Sequence, residues 1–254
     1  MDIIQAIIIG IIEGFTEFLP ISSTGHMIVA SKFLGISENT LIEAYQVIIQ
    51  FAAILAIMFI YREKISVKEL DLWMKLFVAF LPLALVGFIF KDLIKSLFNV
   101  QTVAWMFIIG GIIFLIVEYF YTEKEHHVKD VEDVSYKQAL CVGFAQIFSL
   151  VPGTSRAGAT IIGGLLAGLD RKTSAEFSFL LAIPVMAAVS GYDLLKHYQD
   201  FADANWIPFL IGFVVAFLVA YATIKLFLAF IQRFTFVAFG IYRIVFGIIL
   251  LMVI

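Results

Sequence analysis

The sequence predicts an all-α polytopic membrane protein, with about six transmembrane helices and two re-entrant helix-loop-helix segments in an inverted-topology repeat. Three observations predict this. Hydrophobic residues fill 62% of the 254 positions and charged residues 15%, against roughly half and a quarter in a soluble domain, and mean hydropathy is +1.03. Six apolar stretches approach or exceed the ~20 residues that cross a bilayer as a helix. Two more apolar stretches are interrupted midway by Pro, Gly, Ser and Thr.

In chain order, the first interrupted stretch covers about residues 2–34. It opens Met1-Asp2, with an acid where a secretory signal carries basic residues, and no small-residue cleavage site follows, so it reads as mature structure. Spans at 44–61, 76–90 and 102–121 come next. The polar run TEKEHHVKDVED at 122–133 allows a surface metal site at His126 and His127, but mixed charge favours a solvated connector. The second interrupted stretch lies at about 137–169, followed by spans at 177–192, 207–231 and 234–254. No helix runs through PISSTG at 20–25 or PGTS at 152–155 without losing backbone hydrogen bonds. Non-helical backbone at membrane depth persists only where protein or water covers it, so each stretch reads as helix, loop and returning helix.

Lys and Arg placement fixes orientation, because cytoplasmic loops hold the excess. With Arg62, Lys64, Lys68 and Lys75 inside, the same side receives Lys124, Lys129, Lys137, Arg171, Lys172, Lys225 and Arg233. Lys32, Lys91, Lys95 and Lys196 fall outside, a ratio of eleven to four that places the N-terminus outward. The two interrupted segments then enter from opposite faces. A faint repeat matches this: Gly14 and Glu17 align with Gly143 and Gln146, Pro20 and Ser23 echo Pro152 and Ser155 after a three-residue gap, and Glu43 and Glu176 each open the following span. The whole chain, 1–254, reads as one membrane domain: repeat one about 1–121, connector about 122–136 and repeat two about 137–254. Inverted repeats of this kind place a site where the halves meet.

The net charge of −3 argues against a nucleic-acid surface, and the single Cys141 excludes an internal disulfide. Ionisable groups at membrane depth are costly, and each is a functional candidate by default. Glu13 and Glu17, four apart, share one helix face, and Gly10 and Gly14 allow close helix approach. Two such acids need something positive between them: a divalent cation, a protonated partner or an arginine. The plainer alternative is protonated carboxyls hydrogen-bonded to neighbouring helices. Ser22, Ser23 and Thr24 open a helix after Pro20, where backbone N–H groups favour an anion, although ordinary capping also explains them. His26 can carry a proton near neutral pH or serve only in packing. In the second segment, Arg156 offers a planar donor fork for phosphate. Gly153, Thr154, Ser155 and Thr160 surround it in sequence, and a structural pairing of Arg156 with Glu13 or Glu17 is compatible with that role. Arg243 reads as the counter-ion of a buried acid such as Glu118 or Glu176. Gln46, Gln50 and Gln146 are polar points that could face the site, though interhelical hydrogen bonding is the plainer account.

Acids and a histidine on one broken helix pair, and an arginine with hydroxyls on the other, suit phosphoryl chemistry. The motifs EGFTEFLPISSTGH at 13–26 and PGTSRAGAT at 152–160 closely resemble the two signatures of the undecaprenyl-diphosphate phosphatase family, the bacitracin-resistance membrane phosphatases. The resemblance runs the length of the chain in span pattern and motif order. It implies hydrolysis of undecaprenyl diphosphate to undecaprenyl phosphate and inorganic phosphate, recycling of the lipid carrier for peptidoglycan, and bacitracin tolerance. It also implies a multi-pass protein of the bacterial plasma membrane and a divalent cation, Mg2+ or Ca2+, at Glu13 and Glu17. By the same resemblance Glu13, Glu17, Ser23, His26 and Arg156 are catalytic, and Ser155 and Thr160 hold phosphate with Arg156. Ser22, Thr24, Gly153 and Thr154 complete the expected substrate contacts. One position departs: Ala157 stands where the family often has serine, which shifts anchoring towards Ser155. The nucleophile, whether Ser23, His26 or water, stays open. Expected partners are the lipid diphosphate and the bilayer, with a homodimer allowed. A transporter or flippase for a polyprenyl phosphate is the rival reading, since broken helices in inverted repeats are transporter architecture.

Overall fold

Capping side chains, rather than the edges of the apolar runs, set where the helices begin. The computed structural model describes residues 1–36, 39–66, 68–196 and 206–253, with side chains in the helix ending at Lys196 described as far as Tyr192. The Lys196 side chain counted in the charge comparison therefore lies outside the described residues. The described chain forms α1 (Ile3–Thr16), α2 (Ser23–Phe33), α3 (Thr40–Ile60), α4 (Leu70–Ile89), α5 (Lys91–Ser96), α6 (Val100–Phe120), α7 (Tyr136–Gln146), α8 (Arg156–Leu166), α9 (Arg171–Lys196), α10 (Trp206–Ile231) and α11 (Val237–Val253).

Asn39 accepts a hydrogen bond from the Ile42 N–H, so α3 starts four residues before the apolar run. The Asp170 carboxylate accepts from the Thr173 N–H at 2.6 Å and starts α9 at Arg171, well ahead of residue 177. At the last helix the shift is the other way. Glu118 Oε1 accepts from the Phe236 N–H at 2.9 Å and holds residues before 237 in a turn, which leaves α11 with 17 residues. Among the described residues, five helices (α3, α4, α6, α9 and α10) are long and apolar enough to cross a membrane, and α1, α8 and α11 are shorter apolar helices. Phe88, Tyr119, Phe120 and Met252 lie open on the outside, a dressing suited to lipid contact.

Between membrane helices, where tails are as apolar as side chains, close packing of small residues carries association. The α1 helix lies on α10 through Gly10 against Gly212 and Gly14 against Ala216; a Cβ on Gly10 would stand 2.8 Å from the Gly212 carbonyl oxygen. The α7 helix lies on α4 in the same way, with Gly143 against the backbone of Ala79. α3 packs on α9 and α6 on α11. The connector is fixed rather than trailing: Tyr121 donates to the Leu169 carbonyl at 2.8 Å, Lys64 pairs with Asp130 at 2.7 Å and Lys75 donates to the Glu132 carbonyl at 2.8 Å. This framework presses the turn between α1 and α2 against the turn between α7 and α8.

Candidate active site

Ser22 (φ 69°) and Ser155 (φ 74°) are the two non-glycine residues with positive φ among the described residues. Each stands immediately before a helix, α2 at Ser23 and α8 at Arg156. Such backbone costs on the order of 1–3 kcal/mol and persists where the surroundings over-determine it. Here it reverses the chain and starts a helix; in α8 the Gly158 N–H is capped by Ser155 Oγ, which leaves the Arg156 and Ala157 N–H groups for an anion. The backbone therefore pairs Ser22 with Ser155, and Ser23 with Arg156. The sequence echo aligns Ser23 with Ser155, whereas the positive φ falls at Ser22 and Ser155. Gly153, at φ 92°, lies against the Val103 backbone with no room for a side chain.

At the junction of the two turns, Arg156 Nη2 donates to Glu17 Oε1 at 2.8 Å. Ser23 Oγ donates to the other Glu17 oxygen, Oε2, at 2.5 Å. Arg156 Nη1 donates to the Ser178 carbonyl at 3.1 Å, and its Nε–H is buried with no partner. One carboxylate thus joins a hydroxyl from α2 to a guanidinium from α8. A cavity of about 220 Å3 opens here, lined by Glu17, Ser22, Ser23, Thr24, Gly153, Ser155 and Arg156. Its size suits a headgroup rather than a polyprenyl chain. Gln50, one of the two readings of which placed it at the site, also lines the cavity, and the residues that sequence reading missed are Ser149 and the apolar Leu83, Phe98, Leu150, Val185, Met186 and Val189. Ser149 lies only three residues before Pro152, which is the one signal that pointed to it.

Four predicted residues are not on this lining. Thr160 is fully buried, and its Oγ1 bonds to the Arg156 carbonyl at 2.8 Å and to Ser178 Oγ at 2.6 Å, which ties α8 to α9. Thr154 is buried with its hydroxyl unpartnered. Ser155 does line the cavity, while its Oγ accepts from the Gly158 N–H at 3.0 Å as a helix cap. Glu13 is wholly buried one turn before Glu17, and neither of its oxygens has a hydrogen-bond partner.

The fourth is His26. It lines a separate cleft with Phe15, Thr16, Ile21, Tyr242 and Phe246, and is absent from the lining around Glu17. Its Nδ1 lies 2.7 Å from the Ser22 carbonyl oxygen, which can only accept, so Nδ1–H donates. Nε2 lies 2.6 Å from the Tyr242 hydroxyl, which in the neutral ring donates to it. Both nitrogens are thus engaged, Nδ1 with the Ser22 turn and Nε2 with α11, and the ring stacks on Phe246 at 4.6 Å between centroids.

Arg243 also differs from expectation. It pairs with neither Glu118 nor Glu176; Glu118 is taken by Arg171 at 2.6 Å. The fully buried Arg243 guanidinium donates instead to the carbonyls of Pro20 (3.0 Å), Gly153 (3.0 Å), Met106 (2.9 Å) and Phe107 (3.4 Å). One side chain from α11 therefore ties both turns to α6. Gly110 makes the room, since a Cβ there would collide with the guanidinium.

Comparison with known proteins agrees along the whole chain. The family model described as bacitracin resistance protein BacA matches residues 6–249. An undecaprenyl-diphosphatase of Sulfurovum sp. (strain NBC37-1) is 84% identical over 253 residues, covering 100% of both chains. An undecaprenyl-diphosphatase of Sulfurimonas denitrificans is 64% identical, covering 99% of both chains. A protein named undecaprenyl-diphosphatase 2 of Pseudoalteromonas translucida is 59% identical, covering 99% of this chain and 98% of its own. The chain belongs to the BacA family of bacitracin resistance proteins.

Proposed function

We propose that this chain hydrolyses undecaprenyl diphosphate to undecaprenyl phosphate and inorganic phosphate at the cavity between the two turns. The observation that carries the reading is the Ser23–Glu17–Arg156 chain of hydrogen bonds, 2.5 Å and 2.8 Å long. In it a nucleophile, a base and a phosphate-binding cation meet in one buried place.

In this reading the terminal phosphate lies against Arg156 and the free N–H groups opening α2 and α8. Ser23 Oγ bonds to the terminal phosphorus while Glu17 Oε2 takes its proton. The bridging P–O bond breaks, and its electrons leave on undecaprenyl phosphate. Glu17 gives up the proton to the departing phosphate, then takes one from water as that water attacks the phosphoserine. The proton returns to Ser23 Oγ, and inorganic phosphate is free. Arg156 stays charged throughout and neutralises the developing oxygen charge. His26 and Arg243 act at one remove by holding the Ser22 and Gly153 backbone.

A divalent cation fits this residue set. Glu13 and Glu17 offer hard carboxylate oxygens, and those of Glu13 are buried without partners. Two carboxylates completed by substrate phosphates is the usual magnesium arrangement. When bound, such an ion lowers the charge on the diphosphate oxygens. Glu13 and Glu17 are the residues that would hold it.

The finer architecture follows the same reading: six spans, with α1–α2 and α7–α8 as re-entrant hairpins entering from opposite faces. The packing supports a two-fold relation, because α1 on α10 and α7 on α4 exchange roles between repeats, while α3 with α9 and α6 with α11 are each other's counterparts. Phe98 and Val189 line the cavity, and both lie in sequence next to the loops assigned outward by the charge distribution. The polyprenyl tail would leave past these apolar residues into the bilayer.

Phosphate release in detergent tests the function, because no second compartment exists there. The expected result is stoichiometric release and an acid-stable phosphoserine at Ser23 in quenched wild type, with none from Ser23→Ala. No release from folded, monodisperse wild type would reject the enzyme. Release by Ser23→Ala within tenfold of wild type would assign the attack to water.

A further inference from the structure

A second polar cavity, of about 440 Å3, lies away from the two turns, between the end of α3 and the flank of α10. Arg62, Lys64 and Lys225 line it with Glu63, Tyr61, Tyr221, Phe59 and Ile60. Lys64 is already committed to Asp130, whose carboxyl its hydrogen bond holds below the usual carboxylate range. Arg62 and Lys225 are different. Among the described residues neither has an acid in ion-pairing distance, although Glu63 is close in sequence. Instead the Arg62 guanidinium lies 5.8 Å from the Phe59 ring centroid and Lys225 Nζ lies 4.3 Å from that of Tyr221. Lys225 Nζ also donates to the Tyr221 hydroxyl.

Depth makes this informative. Lys225 sits six residues before α10 ends at Ile231, about 9 Å along the axis, and its neighbour Leu226 is 70% exposed on the lipid-facing side. A lysine there extends its stem towards the interface, and its charge needs an anion that the protein does not supply. The side is the one where the cations concentrate, facing the leaflet rich in anionic lipid. Phe59 and Tyr221, edge to face at 6.0 Å, wall the cavity towards the acyl region.

We infer that this cavity is a binding site for the phosphodiester headgroup of an anionic phospholipid of the cytoplasmic leaflet, with Arg62 and Lys225 as its two cationic contacts. The acyl chains run along the exposed faces of α3 and α10. The site is independent of the hydrolytic centre and does not rest on its mechanism.

The experiment titrates delipidated protein in detergent with phosphatidylglycerol or phosphatidylcholine and counts bound lipid by native mass spectrometry. Wild type should retain one phosphatidylglycerol in preference to phosphatidylcholine. Each removed cation should weaken retention roughly fivefold, and Arg62→Gln with Lys225→Gln together about 25-fold. The charge-matched control Lys68→Gln with Lys129→Gln, both exposed and outside the cavity, should retain it. Monodispersity and unchanged phosphate release establish that the variants are folded, and the single variants stand in if the double one is not. Equal retention by Arg62→Gln/Lys225→Gln and wild type would overturn the proposal, as would equal binding of phosphatidylcholine. Displacement by millimolar inorganic phosphate would also overturn it, by making the site one for free phosphate.

Discussion

Arg156 and Glu17, 139 residues apart in the chain, meet through a 2.8 Å hydrogen bond with side chains only 10% and 7% exposed. Removing one partner of such a pair strands the other charge, at a cost of about 3–5 kcal/mol. Arg156→Ala should therefore lose stability as well as activity. Arg156→Lys keeps the charge but not the fork that reaches both Glu17 and the Ser178 carbonyl. It should fold and lose about 100-fold or more in kcat, as when one transition-state donor is removed. Near-normal turnover in a phosphate-release assay would reject bidentate use of Arg156.

Glu17 and Glu13 separate by role. Glu17→Gln removes the acceptor of the Ser23 proton and should lower kcat by about 100-fold to 10,000-fold with little change in KM. Glu13→Gln leaves that proton path intact. If Glu13 helps hold the cation, its replacement raises the half-maximal magnesium concentration on the order of tenfold. An unchanged magnesium titration removes Glu13 from the cation site.

His26 holds the Ser22 carbonyl through Nδ1 and is itself held by Tyr242 through Nε2, so its replacement should change rate without changing the shape of the pH profile. Tyr242→Phe removes one hydrogen bond, worth about 1 kcal/mol, and should share the phenotype in weaker form. His26→Gln, which can still donate to the Ser22 carbonyl, should recover part of the activity lost in His26→Ala. Loss of a titration step from the pH profile in His26→Gln would restore the ring to proton transfer.

Arg243 gathers four carbonyls from three segments. Hydrogen bonds to charged groups contribute about 1.5–3 kcal/mol each. Arg243→Met should therefore lower stability by several kcal/mol in mixed-micelle unfolding, and should reduce activity by loosening both turns together. Intact stability would show that the carbonyls find other partners.

Much of this was legible in residue types. PISSTG and PGTSR cannot continue a helix, and they mark the two turns; the acids and Arg156 stand out because charge is rare in so apolar a chain. What the residues did not disclose is direction. His26 follows Ser23 by three positions, yet its ring turns to Tyr242, 216 residues away. Arg243 invites an acid as partner, but the close approach permitted by Gly110 delivers it to backbone carbonyls. Helix starts differ from the edges of the apolar runs where Asn39, Asp170 and Glu118 cap or hold the backbone, because hydropathy reports the apolar run and not the cap.

A double-mutant cycle on kcat/KM for phosphate release, with Glu17→Gln, Arg156→Lys and the pair together, tests most directly whether the two turns serve one diphosphate. Residues acting as a unit on one ligand are strongly non-additive, so the double variant should be little worse than the poorer single one. Losses that simply multiply would place Glu17 and Arg156 in separate tasks and contradict the shared site.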